Sequence, residues 1–302
     1  MSVHASPIFT GTATALVTPF QDGKIDFPTL GKLMDRQIEA GISALVLCGT
    51  TGEAATMSIA EHVSCVSFAA EHARGRATII AGCGCNCTAK ALTLTKECCR
   101  AGADALLSVT PYYNKASPEG LIRHFSLIAD TAEKPVLLYN VPSRTGCHIP
   151  IAVYEVLSRH GNIVGTKEAS GNLSAIAEVA ARCGPDFAIY SGNDDQYLPI
   201  LSIGGVGCVS VVANIMPKET EQIGLLYKSG LFAQAQTAQL SLLPLIAALF
   251  CEVNPIPVKY ALSRMGLCRE EMRLPLCPPA PESQRRIEAV LRQYALLPKD
   301  GD

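Results

Sequence analysis

The chain carries no excess of charge of either sign. Across 302 residues, 25 Lys and Arg stand against 27 Asp and Glu, for a formal net charge of −2. The cations are scattered rather than gathered in a stripe, which argues against a surface built for nucleic acid or an anionic membrane. Charged residues are sparse at 17%, while apolar residues reach 48%, the balance of a globular protein with a large core. Long hydrophobic runs are also missing. The apolar stretches are interrupted before a spanning length, so no transmembrane helix is expected. The first ten residues lack a charged segment followed by an apolar one, so no secretory signal is expected. No G-x-G-x-x-G follows the first apolar run, which weighs against an open doubly wound sheet.

Cysteine, by contrast, is plentiful, with 13 in the chain. Most lie inside apolar segments, as do Cys48, Cys65, Cys183, Cys208 and Cys251. There a free thiol behaves as a small buried hydrophobe. A reducing, cytoplasmic setting is the simplest account. Cys83, Cys85 and Cys87 form a C-x-C-x-C run, but the spacing is not that of a zinc ribbon and no second Cys or His cluster follows. The run reads as a strand end and its turn, and no metal is expected. The vicinal pair Cys98-Cys99 reads as helical, with one thiol inward.

Short runs rich in Val, Ile, Leu and Ala recur about every 25 to 30 residues. They are Thr12-Val17, Ala44-Cys48, Thr78-Gly82, Ala105-Val109, Val136-Asn140, Ile163-Thr166, Ala188-Ser191 and Gly207-Val212. They are continuous rather than alternating, as for parallel strands covered on both faces. Amphipathic helical patterns lie between them. Ser58 with Glu61 forms a capping box before Ile59, Pro118 opens another helix, and Asn172 caps a third. Eight strands alternating with helices predict a (β/α)8 TIM barrel over residues 7–230. Residues 231–302 read as a C-terminal helical region, with helices over 231–250, 256–264 and 282–293.

A barrel of this kind does its chemistry at the carboxyl ends of its strands. Those ends here carry Gly49-Thr50-Thr51-Gly52-Glu53, Thr110-Pro111-Tyr112-Tyr113-Asn114, Tyr139 to Gly146, Lys167, Gly192-Asn193-Asp194, and Val209, Ser210 and Asn214. Lys167 closes the apolar run Ile163-Thr166 and is out of place there. An amine in apolar surroundings has its charged form disfavoured, and the neutral amine forms Schiff bases with carbonyl compounds. The plain alternative is a lysine that snorkels to solvent. Tyr139, on the neighbouring strand, puts a phenol at the same rim, suited to passing protons. Thr50 and Thr51 offer hydroxyls and backbone N–H groups to a carboxylate. Arg144, in a glycine-bounded loop, has the fork shape that suits a second carboxylate. Gly192 lets backbone approach a ligand closely, although ordinary turn use would also explain it.

With these pieces assembled, the chain resembles the dihydrodipicolinate synthase family of pyruvate-dependent class I aldolases over nearly its whole length. The resemblance is carried by G-T-T-G-E at 49–53, T-P-Y-Y-N at 110–114, Y-N-V-P-S-R-T-G at 139–146, K-E-A-S-G-N at 167–172 and N-P-I-P-V-K at 254–259. It implies a lyase that joins pyruvate to L-aspartate 4-semialdehyde, in lysine and diaminopimelate biosynthesis, without metal or organic cofactor. Lys167 would form the Schiff base. Thr50, Tyr139 and Tyr113, the last from a neighbouring subunit, would relay protons. Thr51, with Thr50, would hold the pyruvate carboxylate, Arg144 that of the semialdehyde, and Gly192 and Val209 would line the substrate site. A homotetramer, a dimer of dimers, is the implied assembly.

Some positions depart from the family. In members inhibited by lysine, a glutamate and two histidines recur at the inhibitor site. Here His62, Asn86 and Tyr112 match that pattern, but Lys90 replaces the glutamate and Ile59 one histidine. Weak or absent lysine inhibition is therefore expected. Asn193 stands where aspartate is common, which leaves room for another pyruvate-dependent aldolase or lyase acting on a sugar acid or a 2-keto acid adduct. A barrel kept as a non-catalytic binding protein is the remaining alternative, and the intact set of rim residues argues against it.

Overall fold

The computed structural model describes residues 7–298. Eight parallel strands close into a barrel: β1 (Gly11–Ala15), β2 (Ala44–Leu47), β3 (Thr78–Gly82), β4 (Ala105–Val109), β5 (Val136–Asn140), β6 (Ile163–Glu168), β7 (Ala188–Ser191) and β8 (Gly207–Ser210). Each strand pairs with its sequence neighbours, and β8 closes on β1 through Gly11–Gly207 to Thr14–Ser210. The expected (β/α)8 barrel is what the chain forms.

The helices around it follow local chemistry. α1 (Phe27–Glu39) is capped by the Asp26 carboxylate. α2 (Ile59–Ala73) opens with the Ser58–Glu61 capping box, an arrangement whose cap alone stabilises a helix by about 1 kcal/mol. α3 (Thr88–Arg100) turns Cys98 inward and leaves Cys99 half-buried. α4 (Pro118–Thr131), α5 (Ile151–Leu157), α6 (Leu173–Cys183), α7 (Tyr197–Ser202) and α8 (Pro217–Lys228) complete the ring. α9 (Phe232–Ser241), α10 (Leu243–Leu249), α11 (Ile256–Arg264) and α12 (Pro281–Gln293) follow. Cys83 is buried, Cys85 half-buried and Cys87 exposed, and all thirteen cysteines are unpaired. Among the described residues no group of three or more His, Cys, Asp or Glu is placed to hold a metal ion.

Three expectations need correction. The helix expected over 231–250 breaks at Leu242, because Pro244 has no N–H to donate and its ring would strike the carbonyl of residue 240. By length and composition alone the stretch Phe232–Leu249 would pass for a membrane span, at a mean hydropathy of 1.2. Here its two helices bury Ala235, Leu245, Ala248 and Leu249 against the rest of the chain. Strand β8 stops at Ser210 rather than Val212. The Asp194 carboxylate accepts the N–H groups of Val211 and Val212 and the Ser210 hydroxyl, which turns the chain off the sheet into a short 3-10 turn, Val212–Asn214. Strand β6 runs on through Lys167 to Glu168, so the lysine lies inside the sheet rather than just past it.

The barrel interior is a layered apolar core. Ala13, Val46, Ile80, Leu107, Leu137, Tyr190 and Val209 fill it. At its amino-terminal end Phe9 stacks on Tyr190, with ring centroids 4.2 Å apart, and the Tyr190 hydroxyl donates to the Phe9 carbonyl at 2.9 Å. That end is closed by packing, so a ligand can enter only at the carboxyl ends of the strands.

Candidate active site

At those ends lies a cavity of about 210 Å³, lined among others by Thr50, Thr51, Tyr139, Arg144, Lys167, Gly192 and Asn254. Lys167 reaches it because β6 breaks its own alternation. Ile163 faces the helices and Val164 the barrel interior. Strict alternation from Ile163 would turn Lys167 outward. Instead Val136 pairs with Ile163 and Leu137 with Gly165, so Val164 is an extra residue, a β-bulge. After it, Thr166 and Glu168 face outward and Lys167 inward, opposite Tyr139 and Tyr190. Gly165 makes the bulge possible, because a Cβ there would stand 2.2 Å from the Ala188 carbonyl oxygen.

The outward residues lock this phase. The Glu168 carboxylate accepts the Tyr154 hydroxyl, the Asn140 amide at 2.9 Å and the Ser170 hydroxyl at 2.8 Å. Burial and the Glu168 charge push the Tyr154 phenol well up, so it stays a donor. On the inner face, Lys167 is 6% exposed, and its Nζ lies 4.3 Å from the centre of the Tyr139 ring. Gly192 closes over the lysine stem: a Cβ at 192 would stand 3.0 Å from Lys167 Cε and 2.7 Å from Ala169 Cβ. Asp194, fully buried behind this wall, has its carboxyl pushed up by burial, against the pull of the Ser210 hydroxyl, two backbone amides and the Lys167 cation.

The Gly49–Glu53 turn brings Thr50 to the exposed edge of the cavity and buries Thr51. The Thr51 hydroxyl oxygen accepts from Asn254 Nδ2 at 2.9 Å. Arg144 rides on a four-residue helical turn, Pro142–Thr145, and donates to the Asn254 carbonyl at 2.9 Å, with its side chain at the rim.

The structure thus gathers Lys167, Tyr139, Thr50, Thr51, Arg144 and Gly192 around one cavity. It does not bring Val209 to the cavity wall. Val209 pairs with Ala13 one layer lower in the barrel core, and Val211 lines the cavity instead. Nor does Tyr113 reach the cavity: it is 88% exposed on the outer surface, with backbone φ of +73°. No side-chain hydrogen bond joins Thr50 to Tyr139 among the described residues. The sequence reading gave no role to Asn254, Glu168 or Tyr154. A polar residue beside the prolines of N-P-I-P-V-K was the available signal for the first.

Comparison with known proteins shows the family. A family model described as the dihydrodipicolinate synthetase family matches residues 8–294. A 4-hydroxy-tetrahydrodipicolinate synthase from Caldicellulosiruptor saccharolyticus is 46% identical over 295 residues, covering 97% of this chain and 100% of its own. The solved structure of the 4-hydroxy-tetrahydrodipicolinate synthase of Methylacidiphilum fumariolicum superposes with a TM-score of 0.93 at 42% identity, covering 95% of this chain and 96% of that one. A structure described as the first monomeric dihydrodipicolinate synthase variant gives a TM-score of 0.94 at 38% identity, covering 96% and 98%.

Proposed function

Because the chain belongs to the dihydrodipicolinate synthetase family, we propose that its cavity carries out that family's condensation with the residues gathered there. The protein is a lyase of the 4-hydroxy-tetrahydrodipicolinate synthase type, joining pyruvate to L-aspartate 4-semialdehyde in lysine and diaminopimelate biosynthesis. The observation that carries the residue assignments is Lys167, turned into a cavity between Tyr139 and Gly192.

The steps follow from the side chains. The Lys167 amine adds to the pyruvate ketone, and loss of water leaves a protonated imine. Thr50 and Thr51 donate to the pyruvate carboxylate. The imine withdraws electrons from the adjacent methyl, which gives up a proton and becomes the nucleophilic carbon of an enamine. That carbon adds to the aldehyde of the semialdehyde, whose carboxylate Arg144 holds in a bidentate grip. The amine of the adduct then attacks the imine carbon, closes the ring and releases Lys167. Tyr139 moves protons at the imine nitrogen and at the new hydroxyl.

Tyr113 enters this scheme from a second copy. Its phenol, on left-handed backbone held by the Tyr113 N–H to the Thr145 carbonyl at 3.1 Å, projects away from its own cavity and is free to complete a partner's relay. The working unit is then at least a dimer, and a dimer of dimers is the assembly assigned. The cytoplasm is the compartment assigned, supported by the thirteen unpaired thiols.

The test is borohydride trapping. Pyruvate with borohydride adds one reduced adduct to the wild-type chain and none to Lys167→Ala, and an unmodified wild-type chain refutes the assignment. Mixing Tyr113→Phe with Lys167→Ala chains regains condensation activity if the phenol acts across subunits.

A further inference from the structure

Two charged residues of the sequence motifs have no part in this chemistry. Glu53 ends G-T-T-G-E and Lys259 ends N-P-I-P-V-K, and neither lines the cavity. Their side chains are wholly buried and paired, Lys259 Nζ to Glu53 Oε1 at 2.5 Å. The other Glu53 oxygen accepts the Arg273 backbone N–H at 3.1 Å. Lys259 also donates to the Glu271 carbonyl at 2.6 Å and lies 4.3 Å from the centre of the Phe20 ring.

We propose that Glu53 and Lys259 are positioning residues that clamp the Gly49–Glu53 turn from behind, fixing the depth and direction at which Thr50 and Thr51 meet an anionic substrate. The proposal rests on the reading of that turn as the pyruvate-carboxylate site. Three observations support it. Glu53 has φ of +56°, a left-handed conformation that a non-glycine residue keeps only where its surroundings impose it. Its N–H donates to the Thr50 carbonyl at 3.1 Å, so a shift of Glu53 moves Thr50 directly. The same C-terminal stretch supplies Asn254, whose amide occupies a lone pair of the Thr51 hydroxyl and leaves the hydroxyl proton to be donated elsewhere. A buried ion pair adds little net stability, because desolvation offsets its attraction, so its effect here lies in geometry.

Single substitutions strand one buried charge and unfold easily. The test therefore uses the double variant Glu53→Gln/Lys259→Met, which removes both charges. Glu221→Gln, which loses a buried carboxylate bonded to the Thr12 N–H on the far side of the barrel, is the stability control. Borohydride trapping is measured against the concentration of pyruvate and of pyruvamide, its uncharged analogue, and folding by circular dichroism. In the double variant the half-saturating pyruvate concentration rises about tenfold, the loss expected when one charge-assisted contact is misplaced, while maximal trapping and the pyruvamide curve hold. The control shifts neither curve. Should the double variant unfold, Lys259→Arg, which keeps the charge and displaces its atoms, gives the same comparison. An unchanged pyruvate curve in a folded variant, or an equal rise for pyruvamide, overturns the clamp alone. A wild-type chain that traps no pyruvate overturns the Schiff-base reading and the clamp with it.

Discussion

Gly192 sits over Lys167 so closely that one added methyl group would stand 3.0 Å from the lysine Cε. The Lys167 amine is therefore placed by what is missing from its neighbour. Gly192→Ala forces the lysine stem aside, and a misplacement near 1 Å lowers reaction rates by about 100-fold. Overpacking at such a site costs about 1–3 kcal/mol of stability. Trapping rate and the thermal unfolding midpoint check both effects, and a variant that traps pyruvate at the wild-type rate refutes the slot.

The bulge at Val164 and Gly165 makes a sharper prediction. Deleting Val164 takes out the extra residue and leaves Ile163 outward, Gly165 inward, Thr166 outward and Lys167 inward, so the lysine keeps its place at the cavity. The shortened strand still traps pyruvate on Lys167. Mass spectrometry of the borohydride-treated variant reads this directly, and a folded variant with no adduct would show that the bulge itself is needed to place the lysine.

In the proposed mechanism Arg144 and Lys167 serve different substrates, so their variants separate. Arg144→Ala leaves trapping of pyruvate intact and raises the KM for the semialdehyde by about 30-fold or more, as loss of one partner of a charge-assisted pair costs 2–5 kcal/mol. A parallel loss of pyruvate trapping would contradict the assignment.

Inhibition by lysine is expected to be weak or absent. His62, 5% exposed, bonds the Gly82 carbonyl at 2.7 Å, and burial depresses its pKa, so it is neutral at pH 7. Exposed Lys90 instead presents a cation where an ammonium ligand needs an anion. Steady-state rates with and without L-lysine decide this; potent inhibition at low concentration sinks it.

Glu61 gives a pH signature of the C-terminal region. The Arg273 guanidinium and the Ser58 backbone N–H hold its carboxyl down at about 2. A folded pKa below the unfolded value, about 4.3, contributes stability that is fully present above the latter and is lost as pH falls through the former. The thermal midpoint of the wild type should exceed that of Glu61→Gln above about pH 5. The two should converge as pH falls toward 2. A gap independent of pH would remove the ion pair as its cause.

The barrel was legible because its strands are buried on both faces and so read as continuous apolar runs. The mouth residues were legible because threonine pairs, a strand lysine and a looped arginine are out of place in such runs. What stayed hidden depends on contacts between distant segments. The grip of Asn254 on Thr51 spans 203 positions and that of Lys259 on Glu53 spans 206, which no local pattern encodes. The bulge was hidden for another reason: Val164-Gly165 looks like any strand until its partner's register is known. Which residue of the β8 end meets the cavity was hidden in the same way: Val211 lines it, while Val209 pairs with Ala13. The small hairpin at Phe20–Gln21 and Lys24–Ile25 was missed although Asp22-Gly23, both at positive φ, is a strong turn signal.

The Phe9–Tyr190 stack gives the barrel a floor, and a vessel with a floor has a filling order. Lys167 lies deep and Arg144 at the lip, so a molecule seated at the lip stands between the amine and the solvent. In the proposed mechanism the keto acid must then arrive first and be tethered before the aldehyde settles over it. The second guest then serves as the stopper, and the water shed in making the tether has to leave before that stopper is in place.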